Sequence, residues 1–595
     1  MNRIGLAFAL AVWCFRCAGQ PLGTGDVWNW RRAADPRISP DGSRVVYTER
    51  WNDRQRDAAC ANLWLVSTGG RNLRRLAEGA WRDSRPRWSP DGSRLAYISD
   101  REGRPQIRLW RDDGDTTLAT PGQEPLELAW SPDGASLAFT ARVEAVPAPA
   151  AWAPPAILPR LAGRDRSYVR IFVLPTSGGT ARPISPESVD CRGEPAWMPD
   201  GRVLASTAEG DLVALRLSDG AVSRLAGGGR NECPRPSPDG ARIAWLSTQA
   251  KPQSYVVRKL WVMNADGSRA RPLSGSLDRD ARSPQWSSDS RTVYFLADDR
   301  GATRAYAARS DGTVRQITAG ERLRGFSLAD DGTAVTVRST AGEPEAVVAF
   351  SVYRASEAVT LARPAQPLLA GRQTGAVEAM AYDSGGQTIQ AWLVRPPRFD
   401  AARKYPLLID IRDGPRRMYG SEFNLRAQIL AARGYVVLCA NPRGTPGYGE
   451  AFGNLLPTGV PGDPYDDLMR GVDAALAEGY IDPRRLMLVG SLVAAWAIGH
   501  TDRFAAAVVR HPIPGWFTGI GDSPDEFLKH SPLSFAQNFR TPTLVLARET
   551  DAGAGELYSA LQSRHVDSAL VRLPDAPRPS ERILELETTL AWLGR

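Results

Sequence analysis

A single turn returns seven times in the first 340 residues, and it constrains the fold more than any other feature of the chain. ISPDGSRVVYT (38–48) recurs as WSPDGSRLAYI (88–98), WSPDGASLAFT (130–140), WMPDGRVLAST (197–207), PSPDGARIAWL (236–246), WSSDSRTVYFL (286–296) and, in weaker form, SLADDGTAVTV (327–337). Each copy has a strand end, a tight turn that is Asp-Gly in all but the sixth (Asp289-Ser290), and an alternating strand. The Pro before the Asp sets the turn, and the Gly takes a positive φ. Further strand signals lie between copies, as in NLWLVSTGGRNLRRL (62–76) and KLWVMNADGSRARPL (259–273). About four strands per roughly 40–50-residue repeat is the pattern of a β-propeller. Seven copies imply seven blades. The longer gap from Asp133 to Asp200 holds the Pro/Ala-rich VEAVPAPAAWAPPAILPR (143–160), read as an insertion on one face. The repeated Asp residues are read as turn formers, not metal ligands.

Past residue 370 the pattern changes to strands alternating with helices, which means a parallel sheet covered on both faces. Buried strands are expected at PLLIDI (406–411), YVVLCAN (435–441), LMLVG (486–490), AAAVVRH (505–511), TPTLVLA (541–547) and SALVRLP (568–574). Helices are expected at 425–434, 466–480, 491–500, 556–564 and 581–593. The fold class is therefore multidomain, a seven-bladed propeller followed by an α/β domain, with boundaries expected at 20–370 and 371–595.

The 595 residues are 43% hydrophobic, enough for two cores, and the net charge is +8. The basic side is nearly all Arg, scattered, with no basic run interleaved with aromatics, so nucleic acid is not an expected partner. Residues 1–19 read as a signal peptide: Arg3, then the apolar IGLAFALAVWCF (4–15), then Cys-Ala-Gly before Gln20. That run is too short to span a membrane, so a periplasmic or secreted mature chain without an integral membrane segment is expected. An uncleaved signal anchor is the other reading. The mature chain keeps Cys60, Cys191, Cys233 and Cys439, with no Cys-x-x-Cys and no Cys/His cluster, so no metal and no cofactor is expected. A Cys191–Cys233 bridge and free buried thiols are both compatible with that spacing.

Several segments together resemble the prolyl oligopeptidase family of serine peptidases, nearest its acylaminoacyl-peptidase and dipeptidyl-peptidase-like bacterial members. They are DPRISPDG (35–42), NPRGTPGYGEAFG (441–453), YDDLMRGVD (465–473), YIDPRRL (480–486), GHTDRF (499–504) and SPL…TPTLVL (531–546). The resemblance implies a propeller covering an α/β-hydrolase. It also implies a Ser-Asp-His triad, in that chain order, acting on short peptides.

The triad does not carry over intact. Family members read GGSYGGYMTNW where this chain reads GSLVAAW (490–496). Gly490 and Ser491 remain, but Val489 and Val493 replace the glycines that a Gly-x-Ser-x-Gly elbow needs. Ser491 is thus either a remnant nucleophile or a helix N-cap. Asp551, in ARETDAG (547–553), matches the family acid. The loop where the family places its His is DAPRPS (575–580), with no His. Of His500, His511, His530 and His565, only His511 ends a strand at the sheet edge where open α/β sheets build sites. His500 reads as a helix cap, and His565 falls on the wrong edge. The family's His-Gly-Gly-Pro oxyanion loop appears as Arg412-Asp413-Gly414-Pro415, which places a negative charge where donors are needed. These departures point to a pseudoenzyme that binds short peptides or a protein partner. The alternative is an active serine hydrolase with Ser491, His511 and Asp551 as an irregular triad. A third reading makes the propeller a structural element and the α/β half its lid.

Overall fold

The computed structural model describes residues 19–118, 120, 122–144, 167–251, 253, 255–412, 417–455, 461–512, 524–551, 553–575 and 578–595. Residues 1–18 of the expected signal peptide, most of the Pro/Ala-rich insertion and residues 413–415 of the altered oxyanion loop lie outside these residues, as do 576–577 of the 575–580 loop, while Arg412 donates to Met418 O at 2.9 Å.

Seven four-stranded blades are built from residues 32–362, and the blade 6 and 7 strands join through one parallel bridge, Thr303 to Arg322. Their innermost strands are Arg32–Ile38, Asp83–Trp88, Glu124–Trp130, Cys191–Trp197, Gly229–Pro236, Ala281–Trp286 and Arg322–Leu328. Every repeat residue has a local task. The turn Asp accepts the main-chain N–H two residues on, as Asp41 does from Ser43 at 3.1 Å and Asp133 from Ala135 at 2.9 Å. The turn Gly sits at positive φ, +74° at Gly42 and +69° at Gly92. The Trp before the turn donates to the preceding blade: Trp88 Nε1 to Arg37 O at 3.1 Å, Trp130 to Arg87 O at 2.9 Å, Trp286 to Arg235 O at 2.9 Å. The Arg after the turn clamps the next blade: Arg44 donates to Gly92 O at 2.6 Å and stacks 4.9 Å from the Trp88 ring centre. Blade 1 closes on blade 7 through apolar packing of Ile38, Val45 and Tyr47 against Val335, Val337 and Val347. No strand is exchanged across that seam, because blade 1 is made entirely of residues 32–75 and blade 7 of 322–362.

The innermost strands share a second device. Asp35, Arg85, Gly193, Cys233, Ser283 and Gly325 all have positive φ, each at a register break in its strand. These are β-bulges, which re-aim the side chains that follow. What they aim inward is charge. Arg87 of blade 2 contacts Asp35 of blade 1 at 3.4 Å, Glu127 of blade 3 at 3.7 Å and Glu194 of blade 4 at 2.7 Å. Glu194 also holds Arg235 of blade 5, and Asp35 holds Arg37 at 2.7 Å. Burial alone would raise the Glu194 carboxyl, but Arg235, Arg87 and Arg37 hold it well below its ordinary value. Arg87 thus links blade 2 to blades 1, 3 and 4 through their innermost strands.

The second half is one eight-stranded sheet: β1 Val377–Ser384, β2 Gln387–Val394, β3 Tyr405–Asp410, β4 Val436–Asn441, β5 Ile481–Gly490, β6 Ala506–Arg510, β7 Thr543–Arg548 and β8 Ser568–Leu573. The spatial order is β1-β2-β4-β3-β5-β6-β7-β8, antiparallel up to β4 and parallel beyond it. Helices α1 Leu425–Ala432, α2 Gly462–Ala477, α3 Leu492–His500, α4 Gly553–Ser563 and α5 Pro579–Leu593 cover it. Successive residues divide between two cores. Leu407, Leu488, Val509 and Val545 pack on one face, and Leu408, Val489, Val508 and Leu546 on the other. That two-sided burial is why these strands read as unbroken apolar runs.

Residues 20–30, assigned above with the propeller, bridge the two halves: Asn52 of blade 1 donates to Val27 O at 2.8 Å, and the rest of the segment enters the second half. Gln20–Pro21 pairs in parallel with Arg372–Gln373, Leu22 and Trp30 enter the second core, and Trp30 stacks on Phe423 at 5.5 Å. The halves also meet through Lys251–Glu450 at 2.6 Å, Arg322–Glu422 at 3.0 Å, Tyr255 N to Asn454 Oδ1 at 3.0 Å and Ser580 N to Asp57 Oδ1 at 2.8 Å. Cys60, Cys191, Cys233 and Cys439 are free thiols, so the Cys191–Cys233 bridge is not formed. Among the described residues, no helix is long and apolar enough to cross a membrane.

Candidate active site

The carboxyl ends of β5, β6 and β7 bring three of the expected residues to one edge of the sheet. Ser491 follows β5 and opens α3 with φ −111° and ψ −107°. That pair lies in neither the helical nor the extended region, and its φ is negative. Gly490 carries the tight packing. A Cβ there would fall 2.9 Å from the Ile411 Cβ and 3.2 Å from the Ala494 Cβ. Val489, fully buried in the sheet, and Val493, partly buried against the first core, are accommodated without glycine.

Ser491 stands at the N-cap of α3 but its hydroxyl caps nothing. It donates to the main-chain carbonyl of His511 at 3.1 Å, and the residue is only 6% exposed. The sequence reading of this Ser as a capping side chain is therefore corrected: the position is right and the bond is different.

His511 lies one residue past β6 with φ +46°, its N–H bonded to Leu546 O at 2.6 Å. That left-handed conformation turns the ring out of the strand direction. Its Nδ1 meets Asp551 Oδ2 at 3.0 Å, with the imidazole side chain 37% exposed. Asp551 is held in turn by the Arg548 N–H, which donates to the same Oδ2 at 2.7 Å. With Nδ1 donating to the carboxylate, Nε2 is the ring's acceptor, the polarity of a base oriented by an acid. The unit is thus a histidine–aspartate dyad with a serine attached to the histidine's main chain. No hydrogen bond joins the Ser491 hydroxyl to an imidazole nitrogen among the described residues.

The other histidines are elsewhere. His500 Nδ1 bonds Trp496 O at 2.8 Å in the last turn of α3, and its ring stacks on Trp496 at 3.9 Å. His565 is exposed between α4 and β8, and His530 ends the helix Pro524–His530. In the 575–580 loop, Asp575 accepts from the Thr550 hydroxyl at 2.8 Å.

Two polar clusters behind the dyad escaped the sequence reading. Asp410, buried at the end of β3, lies 3.4 Å from Arg426 and 3.8 Å from Arg510, and Arg510 reaches Glu585 at 3.6 Å. A lone acid inside PLLIDI was the available signal. Asn441 of the NPRG segment holds Tyr419 by two main-chain bonds, 2.8 and 2.9 Å, and the Tyr448 hydroxyl at 2.8 Å. Arg443 of the same segment forms a two-point pair with fully buried Asp467 at 2.7 and 3.0 Å. This pair joins the NPRG and YDDL motifs. Among the described residues, no group of three His, Cys, Asp or Glu side chains is placed to hold a metal ion.

Residues 421–595 match the prolyl oligopeptidase family and residues 29–148 the TolB β-propeller domain. The uncharacterized peptidase YuxL of Bacillus subtilis is 28% identical over 94% of this chain and 97% of its own. Dipeptidyl-peptidase 5 of Porphyromonas gingivalis is 26% identical over 67% of this chain and 66% of its own. The acylaminoacyl peptidase of Pyrococcus horikoshii superposes with a TM-score of 0.81 over 96% of this chain and 97% of its own, at 18% identity, a likeness of fold. The chain thus carries a match to the prolyl oligopeptidase family over residues 421–595, preceded by a match to the TolB β-propeller domain over residues 29–148.

Proposed function

We propose that the chain binds short peptides, or an extended segment of a protein partner, between its propeller and its hydrolase half, without efficient hydrolysis. One observation carries this reading. The Ser491 hydroxyl is spent on the His511 main-chain carbonyl and is almost buried. A serine whose proton points at a carbonyl has no base to take it, and serine without a general base is a poor nucleophile. The absence of His from the 575–580 loop supports the same reading. Relatives named as peptidases and dipeptidyl-peptidases suggest peptides as the ligand class. A fluorophosphonate probe tests it. We expect no stoichiometric labelling, whereas labelling abolished by Ser491→Ala would overturn it.

A second reading, a serine hydrolase acting on short peptides, is favoured by the His511–Asp551 dyad at 3.0 Å. It requires Ser491 to exchange its carbonyl bond for one to the His511 ring. Turnover of an acyl-peptide reporter, lost in both Ser491→Ala and His511→Ala, would establish it. The apolar run at 4–15 further supports export, which fractionation of the producing cell would test.

A further inference from the structure

The seam between the halves holds a cavity of about 210 Å³ whose wall is crowded with guanidinium groups. Arg230 comes from the innermost strand of blade 5, Arg282 from that of blade 6, and Arg258 from the segment leading into the third strand of blade 5, Lys259–Asn264. Pro446, in the loop after β4, closes the wall from the hydrolase side. The recess therefore opens on the propeller face turned toward the domain that carries Ser491, His511 and Asp551.

We propose that this recess binds a carboxylate, in the first instance the C-terminal carboxylate of a short peptide. The inference rests on the peptide-binding reading above and adds a subsite to it. The acids present are largely engaged. Asp280 accepts the Tyr255 hydroxyl and the Arg258 N–H, the latter at 2.9 Å. Glu232 holds Arg230 and, at 3.2 Å, Arg258. Two donors are left over. Arg282 reaches Asp298 through one terminal nitrogen, and its side chain is 42% exposed. Arg230 touches Glu232 through Nε, and its side chain is 71% exposed. A carboxylate is the acceptor whose geometry a guanidinium fork matches.

The same wall argues against larger anions. Glu232 and Asp280 would repel a phosphate dianion, but they can accept amide N–H groups lying beside a singly charged terminus. The volume is more than ten times the roughly 10–15 Å³ that one water needs, and far too small for a folded partner.

The test is calorimetric titration of the full chain with N-acetyl-trialanine as the free acid and as the C-terminal amide. We expect the acid to bind about ten-fold more tightly than the amide, the scale of one charge-assisted hydrogen bond. Arg282→Gln should remove that difference and leave amide binding unchanged. Because Arg282 also pairs with buried Asp298, Arg230→Ala, at an exposed side chain, serves as the second variant and should reduce the difference several-fold. Equal binding of acid and amide overturns the carboxylate subsite and leaves the peptide reading standing. A preference that persists in both variants places the carboxylate elsewhere and overturns it too. No binding of either probe at millimolar concentration removes both the subsite and the peptide reading.

Discussion

Gly490 is where backbone and chemistry come closest. With Ile411 and Ala494 at 2.9 and 3.2 Å from where a Cβ would stand, Gly490→Ala should cost about 1–3 kcal/mol, read as a lower denaturation midpoint with unchanged slope. Of the site, Ser491 and Asp551 were legible because the flanking motifs place them beside strand ends. His511 was legible only as the one histidine at the right edge of the sheet. What the sequence hid was the direction of the serine's bond. That depends on the left-handed φ of His511, a conformation that no residue pattern in RHP announces. Asp467 carries a sharper expectation. It is fully buried and answers Arg443 with two bonds, so Asp467→Ala leaves a guanidinium without its partner and should cost about 3–5 kcal/mol, checked by chemical denaturation.

At the level of elements, the seven turns were readable because each is local: Asp and a residue at positive φ, Gly in six copies and Ser290 in one, set the geometry within four residues. The blade-to-blade bonds were not, although their residues stand in the same repeat. Trp and Arg of the WSPDGSR pattern act on the neighbouring blade, and nothing inside one copy says so. Trp130→Phe keeps the apolar bulk and removes the bond to Arg87 O, so it should cost about 1 kcal/mol, measured as a shift in thermal midpoint. The turn acids respond to pH with a definite sign. Hydrogen bonds from Ser39 and Ser43 hold Asp41 at about 2, and those from Ser89 and Ser93 hold Asp91 at about 2. A depressed carboxyl adds stability above its unfolded value, lost as pH falls toward the folded one. The turns should therefore loosen between about pH 4 and pH 2, seen as amide exchange at Ser43 and Ser93 rising before that of the sheet interiors.

For the molecule as a whole, the two-domain plan was legible, and the placing of Gln20–Trp30 was not. A short stretch ahead of the first repeat gives no local sign that Leu22 and Trp30 belong to a core whose other members lie beyond residue 360. The charges joining the innermost strands were hidden for the same reason, since their bulges show only once the blades face one another. Glu194→Ala would take the acid from Arg235 and leave Arg87 only its longer contacts to Asp35 and Glu127, and a loss of about 3 kcal/mol is expected, with Glu194→Gln losing less. Asp35 and Glu194 are both held low by the surrounding guanidiniums against the pull of burial, so this tie too is complete near neutrality and fails in acid.

Arginines and acids of five blades tie the inner strands of the propeller to one another. A peptide bound as proposed above would then be expected to enter between the halves, past Lys251 and Glu450 or past Arg322 and Glu422, where they are held by ion pairs. Bulk attached to the outward turns near Asp91 should then leave entry untouched, while a covalent staple across the Lys251–Glu450 contact should slow it.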